Sequence, residues 1–236
     1  MKLSLLAASL AALTLVAGPA FAQTTPAPNK NDLSYALGYD IGRNLVETGE
    51  AIDVAAVTRA LQEGYSKKEP AIPVDRLRAA VETMQKRQME KAKSEFDKAS
   101  AANSAKSTQF LAANKAKAGV QSLPGGVQYR VLEAGSGAKP TQASNVTLQY
   151  KGSLTDGRVF VDTYSPQQGQ TTAPTPTAIK VSDIPLPGLR DALLQMPAGA
   201  RWEVVMPADK AYGNTPQSPV GPNQAVVFDV KLLSVK

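Results

Sequence analysis

The chain is 236 residues long, carries a formal charge of +6, and contains neither histidine nor cysteine. Ser-His-Asp and Cys-His nucleophilic systems are therefore excluded, together with disulfides and the usual zinc ligands. No Walker loop or dinucleotide fingerprint is present, so the sequence predicts neither a cofactor nor a metal.

In chain order, Met1-Lys2 supplies a positive end, Leu3 to Val16 is an apolar run, and Ala20-Phe21-Ala22 fits a small-x-small cleavage site. This predicts an export signal over 1–22, too short in its apolar part for a stable membrane span. Gln23 to Lys30 is rich in Thr, Pro and Ala and is expected to be a disordered tether. Leu33, Ala36, Leu37, Ile41 and Leu45 recur at helical spacing, which predicts a first helix from Asn31 to Thr48, closed by Gly49. Asp53 is a candidate cap for a second helix, from Val54 to about Ser66, burying Ala56, Val57, Leu61 and Tyr65.

From Val74 to Lys117 the sequence lacks Pro and Gly and is dominated by strong helix formers. Pro73 precedes it and Gly119 follows it, so one long helix of roughly 66 Å is expected. Leu77, Val81, Met84 and Met89 mark an apolar start. The middle, Lys91 to Thr108, lacks an apolar stripe and is expected to stand in water as a bendable stalk. Between residues 85 and 117 there are eight Lys/Arg against three Asp/Glu. This is read as a solvated face and not as a nucleic-acid site, because few aromatics interleave with the charge. The helical region 31–90 is too small for a self-sufficient core, and its apolar stripes predict burial against a second copy of the chain.

After Gly119 the period changes to two. Alternation at Val127/Tyr129/Val131, Val146/Leu148/Tyr150, Trp202/Val204/Met206 and Val226/Phe228/Val230/Leu232 predicts strands. Short strands at Arg158–Val161 and Ala178–Val181 join them, the first entered through the Asp156-Gly157 turn. Ser165 to Thr177 and Tyr212 to Pro222 read as irregular loops, and Pro187-Gly188 opens a short helix, Leu189 to Gln195. The predicted domain 119–236 is thus an α+β unit, five or six antiparallel strands wrapping one short helix.

Five blocks in this order carry a resemblance: Val146-Thr-Leu-Gln-Tyr-Lys-Gly152, Asp156-Gly-Arg-Val-Phe160, Pro187-Gly188, Ala211-Tyr-Gly213 and Val227-Phe-Asp-Val-Lys-Leu-Leu233. They resemble an FKBP-type peptidyl-prolyl isomerase domain. Asp32-Leu-Ser-Tyr-Ala-Leu-Gly38, Leu123-Pro-Gly-Gly-Val-Gln-Tyr129 and Leu194-Gln-Met-Pro-Ala-Gly199 extend the likeness to the macrophage infectivity potentiator subgroup. The resemblance implies an exported bacterial protein, in the periplasm or on the cell surface, that assists folding of proline-containing polypeptides. It implies a homodimer through the N-terminal helices, a half-barrel sheet with an apolar proline pocket, and binding of FKBP-directed macrocycles.

Such a pocket suits a chain without nucleophiles. An X-Pro bond is held by amide resonance behind a barrier of about 18–20 kcal/mol. A dry aromatic cavity favours the less polar twisted amide, and a donor or two steadies the carbonyl. The resemblance assigns Tyr150, Phe160, Tyr212, Val220 and Phe228 as walls, with the Tyr212 hydroxyl as a donor. It makes Leu186 the backbone N–H donor, places Ile184 beside it, and puts Ile179 where many members have Phe. Three departures are visible. Leu189 replaces the usual Trp floor, the acid falls at Asp162 with Val161 intervening, and Ile184-Pro185-Leu186 is one residue longer than the subgroup pattern. A bulge would be needed to bring Asp162 to Tyr150. Reduced activity is expected, and the alternative is a non-catalytic dimeric chaperone or binding module with a degenerate pocket.

Overall fold

A computed structural model describes residues 29–165 and 176–236. The expected export signal over 1–22, the tether up to residue 28 and the middle of the 165–177 loop lie outside the described residues. The molecule divides into two units, one ending at Leu77 and one running from Arg78 to Lys236.

In the first unit, α1 spans Lys30–Glu47 and α2 spans Val54–Tyr65. Asn29 caps α1 by accepting from the Asn31 N–H, so Lys30 is already helical and is not part of the tether. Asp53 caps α2, accepting from the N–H groups of Ala55 and Ala56. The burial expected of Val57, Leu61 and Tyr65 is not achieved within one chain. No residue of α1 or α2 is buried, and Tyr65 is 93% exposed. Two short helices have no layer to cover their apolar stripes.

The third helix, α3, spans Val74–Lys115, as its uninterrupted helix-former composition predicts. The expectation of a solvated middle holds only in part. Ser100, Ser107 and Asn114 are buried, and Phe96, Asn103, Phe110 and Leu111 are half-buried, all on one face at spacings of three and four. Within the second unit, that face packs on Gln128 and the 213–225 segment through polar side chains, which an apolar-period reading does not register.

The second unit holds β1 (Val120–Ser122), β2 (Gln128–Glu133), β3 (Asn145–Leu154), β4 (Val159–Asp162), β5 (Thr177–Lys180), α4 (Pro187–Leu193), β6 (Arg201–Met206) and β7 (Val226–Val235). The sheet order is β1-β2-β6-β7-β3-β4, with β5 also paired to β3, and every pairing is antiparallel. Strand β1 was not anticipated, because three residues are too few to show alternation. Helix α4 starts two residues earlier than expected, with Pro187 in its first turn, where a missing N–H costs nothing. The core between α4 and the sheet contains Leu148, Leu193, Met196, Val204, Met206, Phe228, Val230 and Leu232. Trp202 belongs to this core and stacks on Tyr129 with ring centroids 4.3 Å apart. Among the described residues, no helix is long and apolar enough to cross a membrane.

Candidate functional site

The concave side of the sheet and the N-terminal end of α4 enclose a cavity of about 160 Å³. Its lining is Tyr150 from β3, Val161 from β4, Thr177 and Ile179 from β5, Ile184, Pro185, Leu186 and Leu189 from α4 and its approach, Tyr212, and Phe228 from β7. Seven of the ten sequence-assigned residues thus meet here: Tyr150, Ile179, Ile184, Leu186, Leu189, Tyr212 and Phe228. Phe160 and Val220 are not among the lining residues. The Phe160 ring stands edge-on to both Tyr212 and Phe228, each at 5.8 Å, and supports the wall. Val220 is buried in the core cluster.

Asp162 requires a correction. A bulge is present in β4, but it does not bring Asp162 to Tyr150. Gly152 pairs with Val161 and Ser153 with Val159, leaving Phe160 as the extra residue. The bulge therefore seats Val161 in the cavity. Asp162 closes the following turn instead, with Oδ1 accepting from the N–H groups of Tyr164 and Ser165 and Oδ2 from the Ser165 hydroxyl. Gly152 is required opposite the bulge, since a Cβ there would lie 2.7 Å from Val161 Cγ1 and 2.8 Å from Phe160 Cζ.

Local hydrogen bonds fix the walls. Thr163 brackets Tyr150: its hydroxyl donates to the Tyr150 carbonyl and accepts from the Tyr150 N–H at 2.7 Å, and its own N–H donates to the same carbonyl. Arg190 of α4 donates to the carbonyls of Ile184 and Ser182, bracing the segment that carries Pro185 and Leu186. Leu186 caps α4 in an extended conformation, its carbonyl accepting from the Arg190 N–H. Sequence reasoning missed Thr177, which lines the cavity, and Thr163 and Arg190, whose pattern offers no signal because both act on backbone groups.

Electrostatically the site is quiet. Among the described residues, the only ionisable side chains in the lining are Tyr150 and Tyr212. Burial, and then the neighbouring Tyr150, push the Tyr212 hydroxyl above the ordinary tyrosine range, so it stays a proton donor at neutral pH. The cavity can desolvate a flat apolar ring, hold a carbonyl by hydrogen bonding, and do no covalent chemistry.

Comparison with known proteins agrees with this geometry. A family model described as "FKBP-type peptidyl-prolyl cis-trans isomerase" matches residues 136–233. A second, described as the "domain amino terminal to FKBP-type peptidyl-prolyl isomerase", matches residues 30–131. The outer membrane protein MIP of Legionella longbeachae is 38% identical over 100% of this chain and 99% of its own. The peptidyl-prolyl cis-trans isomerase Mip of Coxiella burnetii is 34% identical over 94% of each chain. Among solved structures, FkpA from Escherichia coli superposes with a TM-score of 0.66 at 27% identity, covering 88% of this chain and 97% of that one.

Proposed function

The chain belongs to the FKBP-type peptidyl-prolyl cis-trans isomerases, and we propose that it isomerises X-Pro bonds of exported polypeptides in the cavity between Tyr150, Leu189, Tyr212 and Phe228. The observation that carries this reading is the apolar cavity with the Tyr212 hydroxyl, its pKa raised by burial, at its wall. In the proposed mechanism the proline ring enters against Leu189, with Tyr150 and Phe228 on its flanks. The substrate carbonyl accepts from the Leu186 N–H, and a second carbonyl accepts from the Tyr212 hydroxyl. With water excluded, the planar amide loses the solvation that favours its charge-separated resonance form. The twisted amide, whose nitrogen lone pair is localised, gains relative stability. No bond is made or broken, and no proton leaves the protein. Nothing in the geometry favours the non-catalytic binding module.

The supported residue roles differ from the family pattern at two positions. Leu189 gives a smaller floor than Trp, and Val161 stands where a carboxylate was sought. Catalysis is therefore expected below that of a Trp-floored pocket. FKBP-directed macrocycles would compete for the same cavity. We further read the molecule as an exported homodimer. Its support is the exposure of Leu33, Leu37, Leu61 and Tyr65 on α1 and α2, together with the leader-like residues 1–22. Export to the periplasm or outer surface is tested by the N-terminal sequence of the mature protein, expected to begin after Ala22.

The test of the isomerase reading is the rate of cis-to-trans conversion of a proline tetrapeptide. The wild-type protein accelerates it. Phe228→Ala removes most of the acceleration, and Tyr212→Phe lowers kcat/KM about tenfold, the loss of one well-aligned hydrogen bond. A wild-type protein with no rate above the uncatalysed reaction would refute the reading.

A further inference from the structure

Within the second unit, three residues on the polar face of α3 meet the base of one loop. Ser100 Oγ donates to Asn214 Oδ1 at 2.9 Å, and Asn103 Nδ2 donates to the Pro222 carbonyl at 2.8 Å. Ser107 Oγ accepts from the Ala225 N–H at 2.8 Å and donates to the Asn223 carbonyl at 3.2 Å. Asn214, Pro222, Asn223 and Ala225 are the two ends of one loop. The loop closes on itself at its base, where the Asn223 N–H donates to the Gly213 carbonyl at 3.0 Å. Asn223 holds a left-handed conformation, φ +57°, that Asn tolerates and most side chains do not.

Tyr212 is the residue immediately before that base, and its ring reaches Phe160 across the cavity wall. Ser100 and Ser107 are both over nine-tenths buried. Buried hydroxyls that satisfy a backbone N–H and carbonyl at the loop base leave those groups few alternatives, because an unpaired buried group is costly. Lower down the same helix, Asn114 donates to Gln128 Oε1, and Gln128 Nε2 donates to the Leu111 carbonyl. That second contact anchors α3 to β2 and does not involve the loop.

We propose that Ser100, Asn103 and Ser107 are positioning residues for the isomerase reaction: α3 clamps the base of the 213–223 loop and so sets where the Tyr212 hydroxyl stands in the cavity. The clamp touches no substrate. It acts on the side-chain donor that the proposed mechanism uses, and it makes the C-terminal part of α3 a component of the catalytic unit rather than a spacer leading to it. Loosening the base frees Tyr212 to rotate from the carbonyl it serves, and misplacement of a positioned donor by about 1 Å is costly in rate.

The inference rests on the isomerase reading, and its test separates the two. The mature protein is prepared as wild type, as the triple variant Ser100→Ala/Asn103→Ala/Ser107→Ala, as the single variant Asn103→Ala, and as Asn114→Ala. Each is labelled with 3-fluorotyrosine, the Tyr212 resonance being assigned from Tyr212→Phe. Emission of the sole tryptophan, Trp202, reports the integrity of the sheet. The triple variant is expected to lose roughly tenfold in kcat/KM, and Asn103→Ala about threefold, with Trp202 emission unchanged and the Tyr212 resonance shifted or broadened. Asn114→Ala is expected to leave both activity and the Tyr212 resonance as in the wild type. Should the triple variant fail to fold, Asn103→Ala, whose side chain is half-exposed, decides. Wild-type kcat/KM and an unmoved Tyr212 resonance in the loop-contact variants would overturn the clamp. So would an equal loss in Asn114→Ala, which would assign the effect to docking of the helix as a whole. If the wild type itself shows no catalysis, the isomerase reading fails, and the Tyr212 resonance alone decides whether the clamp exists.

Discussion

Val161 and Asp162 show how one inserted residue redistributes chemistry. The bulge at Phe160 puts an aliphatic side chain into the cavity and sends the carboxylate to a turn. Asp162→Ala is thus expected to leave kcat/KM within about twofold while lowering stability by about 1 kcal/mol, the worth of a turn hydrogen-bond set; chemical denaturation beside the peptide assay checks both. Leu189→Trp fills the floor and is expected to raise kcat/KM severalfold, since each additional buried methylene equivalent is worth about 0.8 kcal/mol. The pH dependence follows from the same lining. The chain has no histidine, and among the described residues no carboxylate lines the cavity, so activity should be flat between about pH 5 and 9. Burial holds Tyr212 protonated above the ordinary tyrosine range, and Tyr164 is likewise raised by its burial and by Asp229. Both groups bind their proton more tightly folded than unfolded. Their contribution to stability is therefore constant below about pH 10 and falls as pH rises past the unfolded tyrosine value. A bell-shaped activity profile centred near neutrality would contradict this account. Tyr150 and Phe228 were legible as strand residues because their strands are long enough to show alternation, while their place in the wall came from the family resemblance. The bulge was not, because β4 has only four residues and its register is set by the partner strand.

At the scale of the element, α3 is the informative case. Its length followed from composition and flanking Pro and Gly, but its packing did not, because hydrophobic periodicity counts only apolar side chains. Ser100, Asn103, Ser107 and Asn114 repeat at the same three-four spacing as an apolar stripe, and their partners lie from 14 to more than 100 residues away in sequence. The missing apolar stripe suggested a bendable stalk; seen in place these polar residues form a docking face. Amide exchange is expected to divide the helix accordingly. Residues 100–114 should be protected to a degree approaching that of the sheet, whereas Lys91 to Ala99, which carry no buried side chain and an exposed Lys93–Asp97 pair, should exchange faster. Uniform protection from 78 to 114 would count against a docked half and a free half. The same contacts imply that a fragment beginning near residue 96 is more stable than one beginning at 119, which would expose the buried Gln128 and the base of the 213–223 loop. Thermal melts of the two fragments give the comparison, with the longer expected to melt higher.

For the whole molecule, the contrast between the two units decides the argument. The second unit buries a continuous core around α4, with Val127, Leu193, Val204 and Leu232 fully inaccessible. The first buries nothing in α1 or α2, and a groove between them is lined by Leu37, Ile41, Val57, Leu61 and Tyr65. Leaving so much apolar surface in water is unfavourable at about 25 cal/mol per Å², and within the first unit none of the described residues covers it. A second copy of the same helices supplies a self-complementary cover, as a two-fold interface requires. The mature protein is therefore expected to scatter light as a dimer at micromolar concentration. Leu37→Asp with Leu61→Asp should yield monomers, because two carboxylates would have to be desolvated in the interface. Those monomers should keep most of their activity toward a tetrapeptide, since every residue lining the cavity and every contact of the α3 clamp belongs to the second unit of one chain. Their ability to speed refolding of a whole protein with slow proline phases should fall, since a large client gains from two cavities held on one particle. A monomeric wild type would remove the dimer from this account, and a tetrapeptide activity lost in parallel with dimerisation would show that the catalytic unit extends beyond one chain.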